Sequence, residues 1–371
     1  MIRSLLKNRR GPSAAALVLA VVGVAAGAGL SACGTESTAP VSSGPTARVA
    51  FFLPHPKADR YEAIDLPHFS ERLNELCPRC VVDYYNGEQD QEKQNAQFRE
   101  ALSKGAQVMV FDPVDSKKGA SLIDEAKAKN VPVISYDRIL WGKPFDYLVS
   151  FDHLEVGRQQ GTSLKEAMGN AASGGSVIWI NGPVTDSNAV LLSKGAKEVL
   201  GGSVKIVAEY TMPGPKWDTG VEAWLAKTVP TLASSTIAGV YCPSDVCAGM
   251  VGKALKAAGA KKLPPMTGSN ADVAGLQRIL DGEQYMTAYK PVPAEARLAA
   301  ELAFNLVTGK RPKATSTLDN GAGTMPAFFV DTHVVTKDKI KETVLKDGFL
   351  TVNTLCAAAY TQACKTAGIT E

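Results

Sequence analysis

The sequence predicts an α/β protein of two lobes, each a parallel β-sheet flanked by helices. Three observations predict it. Short apolar runs alternate with amphipathic stretches, the alternation breaks and restarts near His153, and the chain beyond its N-terminal tract is too long for one small domain.

The elements follow in order. Strands are expected at 48–53, 81–85, 108–111, 131–136 and 147–151, separated by helices at 61–76, 89–103 and 116–129. Such βαβ repetition calls for parallel pairing, because each parallel connection must cross over. A helix opens near His153. The rhythm then restarts, with strands at 176–180, 204–210, 237–241, 265–268 and 285–289 and helices at 188–200, 216–232, 246–258 and 273–281. No stretch repeats recognisably as sequence, so a solenoid is not indicated.

Ahead of these elements, Arg3, Lys7, Arg9 and Arg10 precede an uncharged apolar run at 14–30 that is rich in alanine and glycine. That arrangement reads as a signal peptide over 1–32, too short and too glycine-rich for a comfortable membrane span. Leu30-Ser31-Ala32-Cys33-Gly34 resembles the bacterial lipobox, so Cys33 is expected to be acylated and to anchor the chain to the membrane. Residues 33–47 then read as the lipidated cysteine and a flexible tether, because Ser, Thr, Pro and Gly cannot bury a core.

Charge is nearly balanced at +3, and 45% of residues are hydrophobic, so no basic stripe argues for nucleic acid. Beyond Cys33 the cysteines fall into sequence-local pairs: Cys77 with Cys80, Cys242 with Cys247, and Cys356 with Cys364. Outside the cytoplasm three local disulfides are the simplest assignment, although six cysteines allow other connectivities. Cys77-Pro78-Arg79-Cys80 follows a helical stretch and leads into a strand, unlike a redox pair at a helix start. No histidine lies close to any pair, which argues against zinc. Neither Gly174-Gly175 nor Gly201-Gly202 belongs to a dinucleotide fingerprint, so neither a cofactor nor a metal is expected.

In open α/β sheets ligands gather beyond the carboxyl ends of the strands. The residues there are Arg60 and Tyr61, Asp112, Asp137 and Arg138, and Asp152 in the first series. The second series gives Asp186 and Asn188, Trp217, Ser244 and Asp245, Asn270 and Asp272, and Lys290. Carboxylates, guanidinium, ammonium and amide groups let a hydroxyl donate and accept at once, while Trp or Tyr packs on the C–H face of a sugar ring. Asp112, Asp152, Asp245 and Asp272 read as capping or hinge residues, with contact to a ligand left open.

From residue 48 to about 348 the chain resembles the D-xylose-binding periplasmic proteins, within the type I sugar-binding proteins that serve ATP-driven importers. The resemblance rests on Asp59-Arg60-Tyr61, Tyr136-Asp137-Arg138, Ser150-Phe151-Asp152, residues 183–188, Ala271-Asp272-Val273-Ala274-Gly275, Met286-Thr287-Ala288-Tyr289-Lys290-Pro291 and Lys346-Asp347-Gly348-Phe349, in the family's order. It implies the type I periplasmic-binding-protein fold, with two Rossmann-like lobes joined by a three-strand hinge. The lobes would be 48–152 with 290–325, and 153–289 with 326–371. The crossings would lie near 152–153, 288–291 and 321–326.

The resemblance assigns sugar contacts to Arg60, Asp137, Arg138, Asp186, Asn188, Trp217 and Lys290. Three further positions depart from the family: Tyr61 stands for a tryptophan, Ser244 for an asparagine and Asn270 for a carboxylate. His55 also departs from an acidic position. The implied function is a monomeric, lipid-anchored solute-binding protein that closes on a monosaccharide, D-xylose or a related aldopentose, and presents it to an ABC permease and its ATPase. Rival readings are a sensor for another sugar or a furanose-like signal, and a glycoside hydrolase using Asp137 and Asp186. Neighbouring arginine and lysine would keep those two carboxylates ionised, which suits hydroxyl recognition better than proton donation.

Overall fold

The computed structural model describes residues 46–56, 60–216, 220–232 and 236–370. The expected signal peptide, Cys33 and Trp217 lie outside the described residues. The first sheet is built from β1 (Arg48–Leu53), β2 (Val81–Asn86), β3 (Val108–Phe111), β4 (Val133–Tyr136) and β5 (Tyr147–Phe151), connected by α1 (Leu66–Leu76), α2 (Gln91–Ser103) and α3 (Leu122–Ala128). The chain then enters the second lobe through α4 (His153–Met168), β6 (Ser176–Pro183), α5 (Ser187–Leu200), β7 (Lys205–Met212), α6 (Val221–Thr228), β8 (Ile237–Tyr241), α7 (Asp245–Ala257), α8 (Val273–Asp281) and β9 (Thr287–Tyr289). It returns through α9 (Val292–Val307), β10 (Ser316–Asp319) and β11 (Thr324–Val330), and ends with β12 (His333–Val335) and the short helices α10 (Val352–Leu355) and α11 (Thr361–Thr366).

The first sheet has the order β10-β11-β5-β4-β3-β1-β2, parallel except for the β10–β11 hairpin. Its inner strands are near-continuous apolar runs because helices cover both faces. Phe52, Phe98, Phe111 and Ile123 fill the face under α2 and α3, whereas Phe51, Phe69, Leu73 and Ala299 fill the face under α1 and α9. No sequence feature predicts α9, which reaches this face only after the chain has left and re-entered the lobe. The segment expected as the third crossing, 321–326, is instead part of the β10–β11 hairpin. The chain leaves the first sheet after Val330, because β11 continues to pair with β5 through Val330 and Phe151.

The second sheet has the order β7-β6-β8. The expected strand at 265–268 is a single bridge between Val240 and Met266, since Pro264 and Pro265 offer no N–H to a ladder. The expected strand at 285–289 shortens to β9, which pairs antiparallel with β12. Trp179 stacks on Tyr241 under α4 and α5, and Ile178, Leu225 and Val251 pack on the opposite face. The terminal segment packs on α8 and on β9, with Leu276, Ile279, Tyr289, Leu355 and Ile369 in one apolar cluster.

Disulfides join Cys77 to Cys80 and Cys356 to Cys364. The third expected bridge is not closed: Cys242 and Cys247 are unbridged, with their Sγ atoms 2.7 Å apart. Both lie at zero exposure in the apolar core, and burial pushes the Cys242 thiol well above its usual range, so it stays in the protonated form that does not attack.

Helices α4 and α5 approach closely because their contact is lined with glycine. A Cβ on Gly157 would meet the Leu192 carbonyl oxygen at 2.1 Å, and one on Gly195 would meet that of Leu154 at 2.0 Å. Gly157→Ala is therefore expected to lower the unfolding free energy by about 1–3 kcal/mol in urea titration; an unchanged midpoint would contradict this packing. Alkylation and peptide mapping of denatured, unreduced protein should label Cys242 and Cys247 while sparing Cys77, Cys80, Cys356 and Cys364. An unlabelled Cys242–Cys247 peptide would restore the third disulfide.

Candidate functional site

The first sheet reverses its strand order at β1, which lies between β2 and β3, and the loops after β1, β3 and β4 meet there. Arg60 ends the loop after β1 and starts a wide turn in which its carbonyl accepts from the amides of Ile64 at 2.6 Å and Asp65 at 3.2 Å. The turn brings Arg60 and Asp65 side by side. The Arg60 guanidinium donates to Asp65 at 3.1 Å, to Oδ2 of Asp137 at 3.2 Å and to Oε2 of Glu295 at 2.6 Å. Tyr136 Oη donates to Asp65 at 2.6 Å, so the carboxylate is held from two sides.

Asp137 follows β4 with φ of 55°, the left-handed region that a residue with a side chain adopts at a cost. The conformation is held by Asp137 N donating to the Val149 carbonyl at 2.9 Å and by Ser150 Oγ donating to the Asp137 carbonyl at 2.6 Å. Arg138 turns the other way, donating from Nη1 to the Pro113 carbonyl at 2.9 Å. Asn270 and Ala271 also take positive φ, at 99° and 54°.

The second lobe supplies the opposite wall from the loop after β6. Asp186 N-caps α5, accepting from the Asn188 amide at 2.9 Å, and its other oxygen pairs with Nη2 of Arg138 at 3.0 Å. Asn188 Nδ2 donates to Oδ1 of Asp137 at 3.1 Å. A non-ionic seam runs alongside: Ser116 N donates to the Thr185 carbonyl at 2.9 Å, and Ile139 N donates to Ser187 Oγ at 2.8 Å. The two lobes are thus in direct contact through the residues that follow their strands.

The electrostatics follow from burial. Desolvation opposes ionisation of Asp137, but Arg60 and Lys290 outweigh it and hold the carboxyl at about 2. Burial, reinforced by the Lys290 charge, pushes His153 down to about 3, so the imidazole is neutral; its Nε2 lies 3.9 Å from Asp137. Burial lowers the Lys290 ammonium against the pull of Asp137, and burial raises Glu295, helped by the neighbouring Asp137 charge. Arg138 Nε, His153 Nε2, Glu295 Oε1 and both oxygens of Asp112 are buried without a hydrogen-bond partner among the described residues. Buried polar atoms in native proteins are normally paired, so this set marks a place where donors and acceptors from outside the chain fit.

Of the residues expected from the sequence, Arg60, Asp137, Arg138, Asp186 and Asn188 are joined by hydrogen bonds, and Lys290 lies beside them, buried, with its ammonium 5.8 Å from the centre of the Phe151 ring. Tyr61 is packed among Leu53 and Phe69, with the Arg60 guanidinium 5.4 Å from its ring centre. Ser244 caps α7 by accepting from the Cys247 amide at 3.3 Å, and Asn270 is exposed; neither is hydrogen-bonded to the charged group. Asp152 and Asp272 cap α4 and α8 as expected. Asp245 and Asp112 do not cap: Asp245 binds Gln284, Thr287 and the Asp272 amide in a buried network. Asp65 and Glu295 were missed. Asp65 depends on the unusual turn, and Glu295 comes from the first turn of α9, where nothing local marks it.

No group of residues that could hold a metal ion, and no helix long and apolar enough to cross a membrane, occurs among the described residues. The family described as the periplasmic binding protein domain matches residues 49–311. The D-xylose-binding periplasmic protein of Escherichia coli (strain K12) is 32% identical over 286 residues, covering 76% of this chain and 84% of its own. An ABC transporter solute binding protein from Clostridium phytofermentans, solved with bound beta-D-glucose, shares the fold at a TM-score of 0.76 and 24% identity, over 83% of this chain and 99% of that one. A carbohydrate transporter solute binding protein from Chloroflexus aurantiacus in complex with D-glucose is 25% identical, with a TM-score of 0.72 over 83% of this chain and 98% of that one. This chain belongs to the periplasmic binding protein family, within the type I sugar-binding group that includes the D-xylose-binding periplasmic proteins, and it is a solute-binding protein rather than an enzyme.

Proposed function

We propose that the chain binds a neutral monosaccharide, an aldopentose such as D-xylose, between the two lobes and presents it to an ABC permease and its ATPase. The observation that carries this reading is the convergence of Arg60, Asp137, Arg138, Asp186 and Asn188, from the carboxyl ends of both sheets, around buried polar atoms that lack partners. Identity of 32% to proteins named for D-xylose supports the pentose. The D-glucose complex of the Chloroflexus protein supports a hexose as the second reading. The resemblance of residues 30–34 to a lipobox supports attachment through Cys33 to the outer face of the cell membrane.

In this mechanism the sugar docks against Arg60, Asp137 and Arg138 on the first lobe. Rotation about the hinge then brings Asp186 and Asn188 against it. Asp137, ionised, accepts hydroxyl protons, while Arg138 and Lys290 donate to hydroxyl oxygens. The direct Asp137–Asn188 and Arg138–Asp186 bonds close the lobes over the ligand and hold its neighbours in place. Water is excluded as the lobes meet, which strengthens each of these contacts.

Calorimetric titration against a panel of pentoses and hexoses is expected to give saturable binding to D-xylose in the micromolar range or tighter. Preference for D-glucose would shift the reading to the hexose, and absence of heat with every sugar would defeat it. Each charge-assisted hydrogen bond contributes about 1.5–3 kcal/mol, so Arg138→Ala or Asp137→Ala should weaken binding at least tenfold with the fold intact by circular dichroism. Affinity equal to the wild type in both variants would remove these residues from the site.

A further inference from the structure

Asp112 stands immediately after β3, the strand next to β1 at the order reversal of the first sheet, and its amide donates to the Phe52 carbonyl at 3.0 Å. Its carbonyl accepts from Gln94 Nε2 at 2.8 Å, so its main chain is satisfied on both sides. The side chain is not. At zero exposure, neither carboxylate oxygen has a hydrogen-bond partner among the described residues. A structural role as a helix cap fails, because Asp90, Asp152, Asp186 and Asp272 each accept from amides of the helix they precede, whereas Asp112 is followed by Pro113 and accepts from none.

The nearest cation is Arg138, whose Nε lies 3.7 Å from Oδ1 of Asp112, beyond hydrogen-bond length, and Nε is itself without a partner. The other nitrogens of Arg138 are committed, Nη1 to the Pro113 carbonyl and Nη2 to Asp186. A shift that joined Nε to Asp112 would use the one hydrogen that Nε carries. Burial raises the Asp112 carboxyl well above its usual range against the pull of Arg138, which agrees with a group short of donors.

We infer that Asp112 is a further ligand-binding residue, and that it and Arg138 Nε are bridged by one hydroxyl of a polyhydroxylated ring. The hydroxyl donates its proton to Asp112 and accepts from Nε. An oxygen at ordinary hydrogen-bond length from each spans a 3.7 Å gap, and a single group satisfies orphans of both kinds. The inference rests on the proposed sugar-binding role and assigns one hydroxyl of that ligand to the β1–β3 edge. A sugar lacking that hydroxyl leaves both groups buried and unpaired, so Asp112 selects among sugars by rejection.

The test uses the full chain in calorimetric titration. D-xylose and D-glucose are compared, and the better-bound sugar is followed by its monodeoxy derivatives, with wild type, Asp112→Asn and Asp112→Ala. One deoxy derivative should bind the wild type at least tenfold more weakly than its parent. The Asp112 variants should lose at least tenfold on the parent and little or nothing further on that derivative. Wild-type affinity of the variants for the parent would overturn the inference, as would an equal loss across every derivative, the mark of a structural role. If Asp112→Ala fails to fold, the isosteric Asp112→Asn and the wild-type deoxy series still decide it, because a series in which no single hydroxyl matters tenfold is incompatible with the bridge. Wild-type protein that binds none of these sugars would overturn the monosaccharide reading itself, and this inference with it. Sugar binding that is indifferent to Asp112 would overturn this inference alone.

Discussion

The structure depends on burying opposite charges together. Removing an ion from water costs several kcal/mol even after relaxation, and the cost is recovered only where partners and geometry are good. Arg60 meets this constraint by facing Asp65, Asp137 and Glu295 at once, and those carboxylates come from three separate stretches of the chain. The wide turn after β1, the left-handed backbone at Asp137 and the docking of α9 on the first sheet are all conditions for that meeting. The charged group is therefore a consequence of the completed first lobe and could not assemble from residues 48–152 alone.

The same constraint links the lobes. Asp137 is held ionised by cations of the first lobe and the hinge, yet one of its oxygens is bonded by Asn188 of the second. Arg138 repeats the pattern with Asp186, which also caps α5. A cap is a rigid use of a carboxylate, so the helix that begins there is oriented by the contact that closes the cleft. Neutral His153 sits where the chain first crosses between lobes and carries no charge that would compete for Asp137. Seam bonds from Ser116 and Ser187 add contact without further desolvated charge.

Much of this was legible in the sequence. Continuous apolar runs at β1 and β3 gave the inner strands of a parallel sheet, and the polar residues after each strand included most of the joined group. What escaped notice shares a physical cause. Glu295, Asp65 and the late crossing after Val330 depend on tertiary return or on an unusual turn, neither of which leaves a local period. At Cys242 and Cys247 the spacing reported proximity, and the two sulfurs do meet, but without a closed bridge. Ser244 accepts from the first turn of α7 with one lone pair and keeps its O–H as a donor.

On the proposed function, the polar group between the sheets is completed by a ring of hydroxyls. A crystal structure of the protein grown with the sugar it binds best tests that claim most directly. The ring is expected between the lobes, with hydroxyls within about 3.2 Å of Asp137, Arg138 and Asn188. A sugar seated elsewhere, with those side chains still bonded only to one another, would contradict it.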